Sequence, residues 1–338
     1  MTRNNAILIV GPSWIGDMVM AQSLFKMIKQ QQPDVEIDVL APKWTLGTIA
    51  RMPEVRDGIE LDVKHGEIGL GKRYRVGKAL REKKYKQVYV LPKTVKSALA
   101  PLFAKIPLRT GILGESRYGL INDIKPFDKK ILNQTVKKYA SLCQSIDEEI
   151  QTPYPELVAD KANAQRLLTE LNIKVDRLTV GFMPGAEYGP AKQWPLEHFA
   201  TLANLIKDAG GQTFIFGSPK DKADGDKIAE ACDAVVNLCG KTTIEDAIDL
   251  IAMTNIVVTN DSGLMHVSAA LGLPLVCIYG SSSPLYTPPL SDKAKVEWLK
   301  LECAPCHQRQ CPLGHLDCLY KITPAKVFEH IMNAQQAS

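Results

Sequence analysis

Short apolar runs alternate with helix-period segments along this chain, and the series runs twice; nothing else in the sequence limits the fold so strongly. In the first half AILIV, from Ala6, precedes a helical stretch from about Asp17 to Gln31. VEIDVLAP from Val35, a second helix, QVYVLP from Gln87, a helix through Ala98 and TGIL from Thr110 continue the series. In the second half TVGFMPG from Thr179 leads into a helix over Leu196–Ala209, then QTFIFGS from Gln212 and a helix over Asp221–Cys232. VVNLCG from Val235, a helix over Ile244–Ala252, NIVVTND from Asn255, a helix over Leu264–Leu271 and LPLVCIYG from Leu273 complete it. Strands alternating with helices of this length form right-handed βαβ units on a mainly parallel sheet. The expected fold class is α/β, with two Rossmann-like doubly wound domains facing across a cleft.

The 338 residues suit two domains of ordinary size. The expected division is an N-terminal domain over 1–160, a C-terminal domain over 175–322 and a terminal helix within 323–338. The boundary region, 150–178, holds TPYPEL from Thr152 with two prolines and a charged connecting helix over Asp160–Leu171. The last helix, Pro324–Ala334, opens with Pro in its first turn after Thr323 as N-cap. Ligands of such sheets sit outside the carboxyl ends of the strands. Every motif described next lies at one of those ends.

GPSWIGD, Gly11 to Asp17, follows the first strand. Its glycines imitate a phosphate-binding loop, but Asp17 stands where Lys is needed and Met18 where Ser or Thr is needed. A carboxylate there repels a triphosphate, and the absence of GxGxxG counts against a nicotinamide enzyme. Asp17 reads either as a helix cap or as a general base for an attacking hydroxyl. MPGAEYGPAKQWP, Met183 to Pro195, holds Lys192 among apolar neighbours in a loop of glycines and prolines, where a phosphate contact competes with plain solvation. In NDSGLMHVSAALGLP, Asn260 to Pro274, Ser262 and Gly263 open a helix whose N–H groups suit a diphosphate. Asp261 caps that helix or accepts sugar hydroxyls, and His266 lies one turn in, either packed or functional. GSSSP from Gly280 adds hydroxyl and backbone donors at the next strand end.

CAPCHQRQCPLGHLDC places Cys303, Cys306, Cys311 and Cys318, four of the 8 cysteines, close to His307 and His315. The residue types suit a structural zinc, yet the later spacings do not repeat a CxxC pair, and reduced thiols packing a loop fit as well. A zinc-stapled adaptor without catalytic activity is the reading that would rest on this cluster.

The chain is 45% hydrophobic and 23% charged, an ordinary globular composition. No apolar stretch approaches the roughly 20 residues that span a bilayer. MTRNNAILIVGPSWIGD lacks a small-residue cleavage site, so it reads as a first buried strand rather than a signal peptide, and a cytoplasmic location is expected. The net charge of +4 is unevenly spread: Lys64 to Lys138 holds 19 Lys and Arg against 5 Asp and Glu, leaving the rest net acidic. Either these are solvated helix faces, or this half meets an anionic partner such as a phosphorylated substrate or lipid headgroups. No nucleic-acid motif accompanies the charge.

GPSWIGDMVMAQSL, MPGAEYGPAKQWP and NDSGLMHVSAALGLPLVCIYGSSSPLYTPPL together resemble the lipopolysaccharide heptosyltransferase family, over essentially the whole chain. The loop AEYGPA, poorer in hydroxyls than in the type I branch, favours type II. A type I or other core heptosyltransferase is the alternative. The resemblance implies a GT-B fold, with acceptor on the first domain and nucleotide sugar on the second. It implies an inverting transfer of L-glycero-D-manno-heptose from an ADP donor to heptosyl-Kdo2-lipid A. No cofactor and no metal are implied, and the loops hold no DxD carboxylate motif. By resemblance Asp17 is the base and Lys192 the diphosphate-binding, charge-stabilising lysine. Asp261, Ser262, Gly263, Leu264, His266 and Glu187 then lie at the donor, and Ser13, Trp14 and Gly16 at the acceptor. A peripheral place on the anionic inner face of the inner membrane is expected.

Overall fold

The computed structural model describes residues 5–64 and 66–336. It divides into two compact units, residues 1–157 and 158–338.

The first unit runs β1 (Ala6–Val10), α1 (Ile15–Gln31), β2 (Glu36–Ala41), α2 (Lys43–Ile49), β3 (Val55–Glu60), α3 (Leu70–Leu80), β4 (Gln87–Val90), α4 (Leu99–Phe103), β5 (Leu108–Ile112), β6 (Asp123–Lys125) and α5 (Thr135–Ala140). Its six strands are all parallel, in the order β3-β2-β1-β4-β5-β6. All five residues of β1 are buried because helices cover both faces of a parallel sheet. That is why AILIV reads as a continuous apolar run rather than an alternating one.

The second unit runs α6 (Lys161–Glu170), β7 (Thr179–Met183), α7 (Leu196–Asp208), β8 (Gln212–Ile215), α8 (Lys222–Glu230), β9 (Val235–Asn237), α9 (Ile244–Ile251), β10 (Ile256–Asn260), α10 (Gly263–Ala270), β11 (Leu275–Ile278), β12 (Ala294–Glu297), α11 (Asp317–Tyr320) and α12 (Pro324–Gln336). Its sheet is also parallel, in the order β12-β11-β10-β7-β8-β9. Counted from the first strand of each unit, the two orders are the same doubly wound 3-2-1-4-5-6 arrangement. The strand order reverses between β1 and β4 in one unit and between β7 and β10 in the other. In sheets of this kind ligands bind at such a reversal, outside the carboxyl ends of the strands.

Local chemistry sets the helix ends. Asp160 caps α6 by accepting from the N–H groups of Ala162 and Asn163, and Thr243 with Asp246 forms a capping box on α9. The core of the second unit gathers Phe182, Trp194, Phe199, Ile215, Val258 and Ile331. Three strands, β3, β6 and β12, and two short helices, α5 and α11, lie where the sequence reading placed none, and two helices, α2 and α3, stand where it expected one.

Candidate active site

In the first unit the chain leaves β1 at the centre of the sheet, turns through Gly11 to Trp14, and enters α1. The Gly11 N–H donates to the Leu40 carbonyl at 3.0 Å, and the Trp44 indole N–H donates to the Ser13 carbonyl at 2.7 Å. These bonds tie the loop to β2 and to the start of α2. Asp17 is not the cap of α1. The helix begins at Ile15 with Trp14 in the cap position, so Asp17 lies inside the first turn, half-buried. From there its carboxylate meets the positive end of the helix dipole without serving as the cap. Gly16 is buried, Ser13 half-buried, and the indoles of Trp14 and Trp44 are 51% and 42% exposed. Exposed indoles suit a sugar, whose C–H faces stack on aromatic rings.

The loop after β4, next to β1 in the sheet, carries Lys93, whose ammonium lies 3.7 Å from the Phe127 ring centre. Arg117 holds this loop from below. Its buried guanidinium donates to the carbonyls of Pro92, Thr94, Leu113 and Ile112 and to the Ser97 hydroxyl. Burial pushes its pKa down to about 10, with the Glu115 carboxylate opposing the shift.

In the second unit both strands at the reversal carry functional candidates. Lys192 ends the loop that follows β7, and its ammonium meets the Asp261 carboxylate, just past β10, at 2.5 Å. Their side chains are 18% and 5% exposed, so this is a shielded pair. Asn260 holds the loop in place: its amide donates to the Pro184 carbonyl at 2.6 Å, and its oxygen accepts from the Trp194 N–H at 3.0 Å. Trp194 is fully buried and donates its indole N–H to the Ile322 carbonyl at 2.9 Å. The backbone two residues beyond Lys192 is thus anchored in the core.

Ser262 is the N-cap of α10 without a side-chain cap bond, and Gly263 and Leu264 form its first turn, so these N–H groups can meet an anion. Asp261 is engaged with Lys192 instead of capping the helix. His266 is buried one turn in; burial pushes its pKa down to about 4, with Asp261 opposing the shift and Lys192 adding to it. The imidazole is therefore neutral near pH 7. The buried hydroxyls of Ser281 and Ser282 have no partner among the described residues, and the Ser281 N–H donates to the Ala191 carbonyl at 3.1 Å. Two unspent buried donors beside the Lys192 loop fit a bound polar ligand.

Glu187 lies on the same loop but is exposed and paired with Lys220 at 2.7 Å. The only DxD string, Asp224 to Asp226, lies inside α8, where Asp226 is tied to Lys222 and Asn237 and Asp224 to Lys227. All eight cysteines are free. Cys303, Cys306 and Cys311 gather near buried Cys318, whose thiol is pushed up to about 11 first by burial and then by those neighbours. Among the described residues no three His, Cys, Asp or Glu side chains stand together as a metal-holding group. Asn260, Tyr188 and Arg117 escaped the sequence reading. Only Asn260 left a signal there, as the polar residue ending an apolar strand before Asp-Ser-Gly.

Known proteins match this arrangement. The family described as glycosyltransferase family 9 (heptosyltransferase) matches residues 73–317. Lipopolysaccharide heptosyltransferase 2 of Escherichia coli K12 is 42% identical over 337 residues, covering 96% of this chain and 97% of that protein. Lipooligosaccharide heptosyltransferase 2 of Haemophilus influenzae is 43% identical over 340 residues, with 96% and 98% covered. The solved structure of E. coli ADP-heptose LPS heptosyltransferase II superimposes with a TM-score of 0.88 at 41% identity, over 98% of this chain and 100% of that one.

Proposed function

Because this chain belongs to glycosyltransferase family 9, the heptosyltransferases, we propose that Lys192 and Asp261 mark its nucleotide-sugar site and that Asp17 is its catalytic base. The chain is an ADP-heptose heptosyltransferase of type II in lipopolysaccharide core synthesis. The finer reading is transfer of L-glycero-D-manno-heptose onto the first heptose of Kdo-lipid A, with inversion at the anomeric carbon. The observation that carries it is the shielded Lys192–Asp261 pair at the strand-order reversal of the second unit.

The Asp17 carboxylate takes the proton of the acceptor hydroxyl as that oxygen attacks the anomeric carbon. ADP departs from the opposite face, which inverts the centre. Charge grows on the leaving diphosphate oxygen, where the Lys192 ammonium and the N–H groups of Ser262, Gly263 and Leu264 stabilise it. Asp261 and neutral His266 accept or donate hydrogen bonds beside the donor sugar and phosphates, Ser281 and Ser282 add hydroxyl donors, and Glu187 borders the loop. Ser13, Trp14 and Gly16 shape the acceptor side. No step is routed through a divalent cation.

The test is ADP release by the full chain with ADP-heptose, with and without EDTA. Release that requires a mono-heptosylated Kdo-lipid A acceptor and survives EDTA supports the reading. Turnover on the Kdo-only acceptor instead would move the chain to the type I reaction, and loss of activity in EDTA would sink the metal-free mechanism.

The same proposal includes peripheral contact between the first unit and an anionic membrane. No helix among the described residues is long and apolar enough to cross one. On and before α3, Ile68, Leu70 and Tyr74 are 64%, 56% and 46% exposed, and Arg75 and Lys78 are exposed on the same helix. Apolar anchors interleaved with cations suit the interface of an anionic leaflet. Co-sedimentation with phosphatidylglycerol vesicles should fall steeply between low salt and about 0.3 M, as screening shortens below roughly 10 Å. Equal binding to purely zwitterionic vesicles, or no salt dependence, would remove the electrostatic contact.

A further inference from the structure

The loop from Cys303 to Leu316 is braced against the Lys192 loop by backbone groups. The Arg309 carbonyl accepts from the Ala191 N–H at 3.1 Å, and the His307 carbonyl accepts from the Tyr188 hydroxyl at 2.7 Å. The His307 N–H in turn donates to the Ser281 carbonyl at 2.7 Å. Gly189 makes this approach possible. Its φ of +148° is one that L side chains rarely adopt, and a Cβ there would lie 2.6 Å from the Arg309 carbonyl oxygen. The cysteine-rich segment is thus seated on the donor loop by contacts that place Arg309.

The Arg309 guanidinium lies 5.5 Å from the Tyr188 ring centre, and the Lys192 ammonium lies 5.2 Å from the same ring. The charges around this loop are otherwise spent. Lys192 is paired with Asp261 and Lys220 with Glu187. Asp221, whose carboxylate lies 2.4 Å from where a Cβ on Gly185 would be, accepts from the Ser218 N–H and hydroxyl. Without Arg309, a loop meant for an anionic diphosphate carries a surplus of negative charge. Arg309 is exposed and forms no ion pair among the described residues, so its charge is available to a ligand.

We infer that Arg309 is a further donor-binding residue, a second cation that the cysteine-rich loop brings beside Lys192 to meet the diphosphate of the nucleotide sugar. The inference rests on the donor site proposed above. Guanidinium suits this place because it binds phosphate oxygens through two N–H groups while its flat face stays against a ring.

The test is calorimetric titration of the full-length protein and of its Arg309→Gln and Arg309→Lys variants, each with ADP and with adenosine. Arg309→Gln should weaken ADP roughly tenfold and leave adenosine unchanged, since only ADP carries the phosphates. Arg309→Lys should recover part of the loss as a point charge. Equal ADP affinity in Arg309→Gln and wild type would overturn the inference and leave the donor site standing. A parallel loss of ADP and adenosine would also overturn it, because the residue would then serve only to place the loop. Wild type that binds neither ligand would remove the donor site and this inference together.

Discussion

Asp17→Asn should lower acceptor-dependent turnover by roughly 10²–10⁴ while leaving ADP affinity at the wild-type level. Asparagine keeps the size and the polar contacts of the side chain but cannot take a proton. The half-buried carboxylate lies inside the first turn of α1 rather than at its cap, so the exchange removes no cap bond. The helix loses a favourable charge near its positive end, about 0.3–1 kcal/mol. Thermal unfolding should therefore move little while the rate collapses. Single-turnover kinetics with saturating ADP-heptose and a mono-heptosylated acceptor measure the step directly. A variant that turns over like wild type would reduce Asp17 to a helix-dipole charge. A variant that loses rate and ADP affinity together would place Asp17 at the donor instead.

Whether Asp17 is the cap of α1 was open in the sequence, and the backbone answers that question alone. Gly11 to Asp17 reads as a turn ending in an acid, and an acid before a helix is an ordinary N-cap. The helix in fact starts two residues earlier, because the cap position falls to Trp14, whose side chain makes no cap bond. Local pattern could not fix that start. It did reveal the buried strands, since β1, β7 and β10 are each five residues long and wholly buried, and such strands need no alternation to be seen.

The strands missed are of another kind. β3 reads VRDGIE with a largely exposed face at the sheet edge, and β6 has only three residues. α3 reads LGKRYRVGKAL, with two glycines inside it and left-handed Gly69 as its cap, a sequence of weak helix propensity. Gly77 is there for packing: a Cβ would lie 2.6 Å from both the Ala100 carbonyl oxygen and the Phe103 Cβ, which lets α3 close on α4.

The site's pairings were hidden for a different reason. Lys192 and Asp261 are 69 residues apart, and each looked plausible alone as a solvated lysine or a helix cap. Only the folded sheet, with β7 beside β10, shows that they neutralise one another. Arg309 is, in the sequence, one basic residue of a cysteine-rich loop with no motif of its own. The residues that matter next to it, Gly189 and Tyr188, are ordinary loop residues until the two segments are seen in contact.

The Lys192–Asp261 pair makes the second large expectation, and it separates chemistry from stability. Lys192→Met should cost roughly 10²–10³ in turnover, the loss typical of one preorganised charge at a developing anion. It also strands a carboxylate whose side chain is 5% exposed, and an unpaired shielded charge destabilises by about 3–5 kcal/mol. Lowered activity alone would therefore not distinguish a missing catalytic charge from a loosened loop. The double variant Lys192→Met with Asp261→Asn resolves the two, because it removes both charges and leaves no buried ion. Its urea midpoint should return most of the way to wild type while its turnover stays low, since nothing then meets the charge on the departing diphosphate. If the double variant regains turnover along with stability, Lys192 serves only to neutralise Asp261. The leaving group must then be stabilised elsewhere, and the N–H groups at the start of α10 become the first place to look.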